Sequence, residues 1–306
     1  QMSSDPEAVY VNSYTGTTRS ENFNDNWKFY MGDAAGAENP AFNDSTWEQV
    51  NLPHDYSIEQ EYTKTGEAES GYLLGGTGWY RKNFTIDSSA AGKQIRIDFG
   101  GVYMNSTVWV NGTQVGTHPY GYTPFSFDIT DYVKVGEDNV ITVKVDHQTP
   151  SSRWYSGSGI YRSVDLTITD PVHVDLYGTK IETPDLAENR ELVTTDISTT
   201  VANDSDKDQS VTLKHTVFPK DGDVENAIGT ISTEAQDVPA GSSAEIKASG
   251  TVTNPTLWDT SDNPALYTVR TEVQIDGQTV DTYDTEYGFR YFDFDADTGF
   301  YLNGEK

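Results

Sequence analysis

Apolar and polar residues alternate with a period of two along almost the whole chain, and helical spacing never persists over a full window. The stretches RKNFTI (81–86), QIRIDFGGVY (94–103), TVWVNGTQVGTH (107–118), FSFDIT (125–130), NVITVKVDH (139–147) and SVDLTITD (163–170) read as strands of an all-β fold. The third is a hairpin closed by Asn111-Gly112, a pair that accepts the two positive φ angles of a type I′ turn. The first 78 residues are more irregular. Their two long polar loops, GDAAGAENPAFNDS (32–45) and EYTKTGEAESGYLLGGTG (61–78), are either functional or mobile.

Pro171, in DPVHVDL, interrupts this series, and a second begins: VDLYGTKIET, LVTTDISTTVAND, SVTLKHTVF, SAEIKASGTV, LYTVRTEVQI and TVDTYDTEYGF. Some seven short strands over about 118 residues suit an immunoglobulin-like sandwich without its disulfide. The expected organisation is a first β-sandwich over 1–171, a second over 172–289, and a final piece, 290–306, that opens a further domain instead of closing the second.

A chain of 306 residues with 35% hydrophobic and 12% aromatic side chains can bury a core in each of two domains. Its 48 acidic and 20 basic residues give a formal net charge of −28, which repels phosphate backbones and anionic lipid surfaces, so neither nucleic acid nor membrane is expected as a partner. Cysteine is absent, which removes disulfides, thiol nucleophiles and zinc–thiolate sites. No apolar run approaches the roughly 18 residues of a membrane span. The start QMSSDPEAVY lacks the apolar stretch of a signal peptide and fits a processed or cut boundary. The acidic, Asn/Thr/Tyr-rich surface suggests a secreted or cell-surface bacterial protein, with the cytoplasm still open.

The motifs NLPHDYSI (51–58), GGTGWYRKNF (75–84), GVYMNSTVWVNGTQVG (101–116), YGYTPFSFDIT (120–130), RWYSGSGIYRSVDL (153–166), LWDTSDNPALYTV (257–269) and GFRYFDFDADTGFYLNG (288–304) occur in this order. Together they resemble the amino-terminal portion of glycoside hydrolase family 2, the β-galactosidases, β-mannosidases and β-glucuronidases. The resemblance covers almost the whole chain. It implies a galactose-binding-like jelly-roll domain, an immunoglobulin-like domain and then a catalytic TIM barrel, which would begin near Phe300 and is missing here. RWYSGSGIYR and YGYTPF look most like the β-galactosidase branch, with β-glucuronidase and β-mannosidase as alternatives.

A retaining glycosidase works with two carboxylates about 5 Å apart, one acid/base and one nucleophile. In this family both are glutamates on the barrel, and nothing in residues 1–306 matches their motifs, so no catalytic residue is assigned and no cofactor is implied. Chance acidic pairs such as Glu59 with Glu61, or Asp204 with Asp208, read as solvated surface.

The resemblance leaves two roles for Arg153 and Trp154. They could form the rim of the sugar pocket, a ring against the apolar face of a sugar and a guanidinium donating to its hydroxyls. Alternatively they pack the sandwich against the barrel, with Tyr155 and Tyr161, while Gly157 and Gly159 allow close backbone approach and Arg162 pairs with a carboxylate. For the stretch as a whole the interface role carries more weight. Asp55 is a third candidate for substrate binding at the pocket mouth, against a turn role in which its carboxylate satisfies nearby backbone amides. His54 is expected to hydrogen-bond inside the fold, and Trp79 and Tyr80 to pack in the core. DFDADTG (293–299) has the aspartate spacing of a calcium loop, but its glycine comes one place late and Gly304 stands where a bidentate glutamate is needed, so no metal is expected. Two other classes stay open: a free carbohydrate-binding module using exposed rings such as Tyr72, Tyr120 and Tyr122, and a structural spacer.

Overall fold

The computed structural model describes residues 12–56, 76–147 and 158–305. Arg153, Trp154, Tyr155, Gly157 and Tyr72 lie outside them. The chain divides into two compact units, 1–168 and 169–306.

The first unit is built from β1 (Asn12–Tyr14), β2 (Ser20–Asn22), β3 (Trp27–Met31), β4 (Glu48–Val50), β5 (Gly76–Ile86), β6 (Gln94–Phe99), β7 (Ser106–Val110), β8 (Thr113–His118), β9 (Phe125–Asp128), β10 (Asp138–His147) and β11 (Val164–Thr169). One sheet runs β4-β3-β5-β10-β7-β8, with β1 joining the far half of β5 in parallel; the other runs β2-β11-β6-β9. Their inner faces meet in one aromatic-rich core that includes Phe23, Trp27, Tyr80, Phe84, Ile97 and Phe99. The β7–β8 turn has φ of 51° at Asn111 and 83° at Gly112, the paired positive values expected from Asn-Gly. The strand expected over 94–103 stops at Phe99. At Gly101 a Cβ would stand 2.8 Å from the Tyr161 ring, so the chain passes there with no room for a side chain.

Strand β5 loses its alternation of exposure, because Gly78, Trp79, Tyr80, Arg81 and Lys82 are all buried. Tyr80 and Phe84 belong to the inner core, while Trp79 joins a second apolar cluster with Ala37 and Trp47, against which Phe42 and Trp109 pack. The polar loop over 32–45 is therefore not loose. Arg81 fastens it: the guanidinium donates to the carbonyls of Ala37, Asn39 (3.1 Å), Pro40 (3.4 Å) and Phe42 (3.5 Å), and Nε donates to Asp44 Oδ2 at 3.0 Å. Lys82 points the other way, donating to the Tyr14 hydroxyl (2.6 Å) and the Phe23 carbonyl (3.0 Å), with its ammonium 3.9 Å from the centre of the Phe23 ring. Burial pulls its pKa down to about 7.

The second unit contains β12 (Val172–Glu182), β13 (Leu192–Asn203), β14 (Gln209–Pro219), β15 (Gly229–Ser232), β16 (Gln236–Val238), β17 (Ser242–Thr253), β18 (Tyr267–Ile275), β19 (Gln278–Tyr287), β20 (Phe292–Asp295) and β21 (Gly299–Leu302). Sheets β12-β13-β17 and β15-β14-β18-β19, the latter with β16 against β14, form an immunoglobulin-like sandwich. Its core falls into two clusters, one around Val193, Ile197, Val217, Val269 and Phe289, the other around Val174, Val201, Leu213 and Val273. β20 and β21 pair only with each other, and all four residues of β20 are exposed. Helix is confined, among the described residues, to two 3-10 turns, Ser88–Ala90 and Val224–Asn226.

Two expectations follow. Arg81→Met leaves four loop carbonyls without this donor and Asp44 with Lys28 alone (3.4 Å), and should cost about 3–5 kcal/mol, the scale for breaking a buried ion pair. Urea unfolding followed by fluorescence of the Trp47/Trp79 cluster would measure it. The second concerns His215, fully buried with Nδ1 hydrogen-bonded to Thr271 Oγ1 at 2.9 Å and Nε2 without a partner. Burial lowers its pKa from 6.5 to about 4. Between those values the unfolded chain holds the proton that the folded chain refuses. The stability is therefore complete above pH 6.5 and is lost as the pH falls towards 4, by at most about 3 kcal/mol. Denaturant titrations at pH 7 and pH 4.5 on wild type and His215→Gln should show a smaller pH effect in the variant.

Candidate functional site

The site is assembled at one end of the first unit, where backbone segments from distant parts of the sequence lie side by side. Residues 158–160 form its centre. His54 and Tyr56 donate their amides to the carbonyls of Ile160 (2.8 Å) and Ser158 (2.9 Å) on one side, and Tyr103 exchanges both backbone hydrogen bonds with Gly159, each 2.9 Å, on the other. Gly159 has φ of +114°, and a Cβ there would run into the Tyr80 hydroxyl and stand 3.1 Å from the His54 carbonyl, so this position needs glycine.

Asp55, half-buried, accepts the amide of Ser158 on Oδ1 at 2.8 Å. The buried Ser158 hydroxyl is in turn hydrogen-bonded to His147 Nδ1. His147 ends β10 and stands opposite Gly76, the first residue of β5, in the antiparallel register. The Tyr56 hydroxyl donates to the Gly76 carbonyl at 2.6 Å. Tyr56, Gly76, His147 and Ser158 are thereby tied into one cluster, and they are the residues from which stretches 57–75 and 148–157 depart and to which they return. Arg153 and Trp154 belong to the second stretch, so their placement lies outside the described residues.

Rings close the cluster. Tyr103 meets His147 edge to face, with centroids 4.9 Å apart, and Tyr122 at 5.2 Å. Gly121 lets the Tyr103 ring lie directly on the backbone, and its carbonyl accepts the Tyr161 hydroxyl at 2.6 Å. His54 Nδ1 is 2.6 Å from the Tyr80 hydroxyl, the internal hydrogen bond expected for it. Arg162, expected to pair with a carboxylate, instead rests its guanidinium 5.5 Å from the Tyr161 ring centre. Tyr120 and Tyr122 are 67% and 62% exposed, enough to offer a ring to a ligand.

Burial lowers the His147 pKa against the opposing pull of Asp55 and Asp146, which keeps the imidazole neutral. Burial also raises the Tyr56 phenol, with Asp146 and Asp55 adding to the shift. The cluster offers hydrogen bonds and aromatic surface. Among the described residues no three or more His, Asp or Glu gather as metal ligands. In DFDADTG the Asp295 carboxylate accepts the amides of Asp297 (2.9 Å) and Thr298 (2.8 Å), which shapes the β20–β21 turn. The buried Tyr103–His147–Ser158 chain was not anticipated. Its one signal in the sequence was the glycine-rich SGSG preceding Ile160.

Two profiles of one family match the chain: the glycosyl hydrolases family 2 sugar binding domain over residues 21–171, and glycosyl hydrolases family 2 over 173–290. The β-galactosidase BoGH2A of Bacteroides ovatus is 41% identical over 302 residues, which make up 98% of this chain and 35% of that protein. A putative β-glucuronidase of Formosa agariphila is 37% identical over 93% of this chain and 26% of its own length. The crystal structure of a family 2 member from Bacteroides cellulosilyticus superposes with a TM-score of 0.85 at 37% identity, covering 94% of this chain and 37% of that one. The chain belongs to glycoside hydrolase family 2, and its two units coincide closely with the two stretches that the family's models match. It spans about a third of the length of the curated relatives it matches.

Asp55→Ala removes the acceptor that holds the Ser158 amide. A charge-assisted hydrogen bond of this kind is worth about 1.5–3 kcal/mol, so the melting temperature should fall by several degrees. Limited proteolysis should cut within 148–157 faster than in wild type.

Proposed function

We propose that this chain is the non-catalytic amino-terminal portion of a retaining glycosidase that hydrolyses terminal β-galactosides, with a catalytic barrel following Lys306. The single observation that carries the reading is the hairpin β20–β21. Phe292, Phe294 and Phe300 are all more than 60% exposed on it, and Phe294 and Phe300 touch at a centroid distance of 4.9 Å. A two-stranded hairpin is marginal without a packing partner, and three exposed phenylalanines on four-residue strands describe a surface made to be covered. The share of each relative left unmatched leaves room for the domain that covers it.

In this reading the clamped end of the first unit supplies part of the pocket rim. Asp55 acts as a positioning residue for the stretch that bears Arg153 and Trp154, and those two reach either the sugar or the barrel. Galactoside specificity is supported by the identity to the B. ovatus β-galactosidase. The β-glucuronidases among the relatives make a glucuronide the competing substrate.

The test is kinetic. Residues 1–306 alone should not turn over aryl β-galactosides, since the acid and the nucleophile are absent. The protein extended through its barrel should hydrolyse aryl β-galactosides and prefer them to β-glucuronides. Turnover by 1–306, or a preference for glucuronide, would refute the reading. In the extended protein, Arg153→Ala should lower kcat/KM by about 1–3 kcal/mol equivalent if the guanidinium meets the sugar. Trp154→Ala should chiefly lower thermal stability.

A further inference from the structure

The outer face of β12-β13-β17, in the second unit, carries a groove of about 350 Å³ that the proposed function does not use. Its floor is the outward side of β13, with Asp196, Ser198 and Thr200. Lys180 and Glu182 of β12 form one wall, and Glu245 and Lys247 of β17 the other. Tyr177 closes one end, 80% exposed.

That tyrosine is held out by the backbone. β12 and β13 are in register up to Val174 opposite Val201 and resume at Thr179 opposite Thr199, so residues 175–178 bulge against Thr200 alone. A bulge of this kind re-aims a side chain. Tyr177 itself has φ of +54°, a left-handed conformation rare for an aromatic residue. Gly178 completes the bend, because a Cβ there would lie 2.7 Å from the Asp175 carbonyl and 3.0 Å from that of Thr200.

We infer that this groove is a second carbohydrate-binding site, which takes a neutral oligosaccharide chain with one sugar stacked on Tyr177. An exposed ring matches the apolar face of a pyranose, and the hydroxyls of Ser198 and Thr200 match its hydroxyls. The charged walls are already paired within each strand: Lys180 with Glu182 at 2.9 Å, and Lys247 with Glu245 at 3.7 Å. With Asp196 included the groove carries three acids and two lysines, and the whole chain is at −28, so phosphate, sulfate and uronate chains are disfavoured. The groove is open along the sheet, which suits an interior stretch of a polymer. Such a site would hold an enzyme on its polymeric substrate without taking part in bond cleavage.

Affinity electrophoresis in gels containing galactan, xyloglucan or arabinoxylan tests this, together with amide chemical-shift mapping using tetrasaccharides of the same polymers. Wild type should be retarded by at least one polymer, with shifts at 177–182, 196–200 and 245–247. Tyr177→Ala should weaken binding at least tenfold with the melting temperature little changed, since the ring is exposed and alanine keeps the Cβ that the left-handed backbone already accommodates. Tyr177→Phe should keep most of the affinity. In the extended enzyme, Tyr177→Ala should leave kcat/KM on aryl galactosides unchanged, which separates this site from the catalytic reading. No retardation in any of the three gels would overturn the inference, as would undiminished binding by Tyr177→Ala or concentration-dependent self-association mapping to the groove.

Discussion

Strand β5 and its antiparallel partner β10 run together from Thr85 opposite Asp138 to Gly76 opposite His147, and the organisation of the first unit follows from that pairing. β1 and β3 both attach along the other side of β5. Each face of β5 buries a basic side chain. Lys82 enters the aromatic core beside Tyr14 and Phe23, and Arg81 enters the opposite layer and gathers the carbonyls of a loop that has little apolar material of its own. A guanidinium suits the second task, because its fixed fan of donors satisfies several acceptors at once. A lysine suits the first, where one compact amino group reaches the Tyr14 hydroxyl, the Phe23 carbonyl and the Phe23 ring, and can shed its proton as burial pulls its pKa down.

The same register sets the clamped end of the unit. His147 falls opposite Gly76, so the two stretches that begin after Tyr56 and after His147 arise from neighbouring points. The Asp55–Ser158 and His147–Ser158 hydrogen bonds then fix where the second stretch re-enters the sheet. Long stretches of chain are best positioned from rigid stems, and here the stems are buried, hydrogen-bonded and packed with rings. A neutral His147 suits this role, because it can share a hydrogen bond with the Ser158 hydroxyl without placing a charge beneath the site.

The second unit is a plainer sandwich, and two of its departures from regularity hold rings at the surface. One is the hairpin β20–β21, whose phenylalanines face outward. The other is the bulge at Tyr177. In each, apolar side chains are kept exposed by well-formed local backbone.

Period-two alternation named the long strands of both units, because a strand between a core and solvent writes its two faces directly into the sequence. Asn111-Gly112 fixed its turn for an equally local reason. Short strands such as β15 and β16 escaped, since three or four residues hold too little alternation to read. Nothing local marks the adjacent Arg81 and Lys82 as buried, yet both are, and only the layers packed on either face of β5 could decide that. Asp55 could be singled out by sequence as a turn or pocket residue. Its actual acceptor role joins it to an amide 103 positions away, a pairing no local pattern encodes. Tyr177 gave no signal at all, because its exposure depends on a bulge set by the register between two strands. Local alternation and turn chemistry therefore determined the class of fold and its hairpins. Tertiary structure decided which polar groups are buried together, because burial and long-range hydrogen bonding exist only once the sheets have packed.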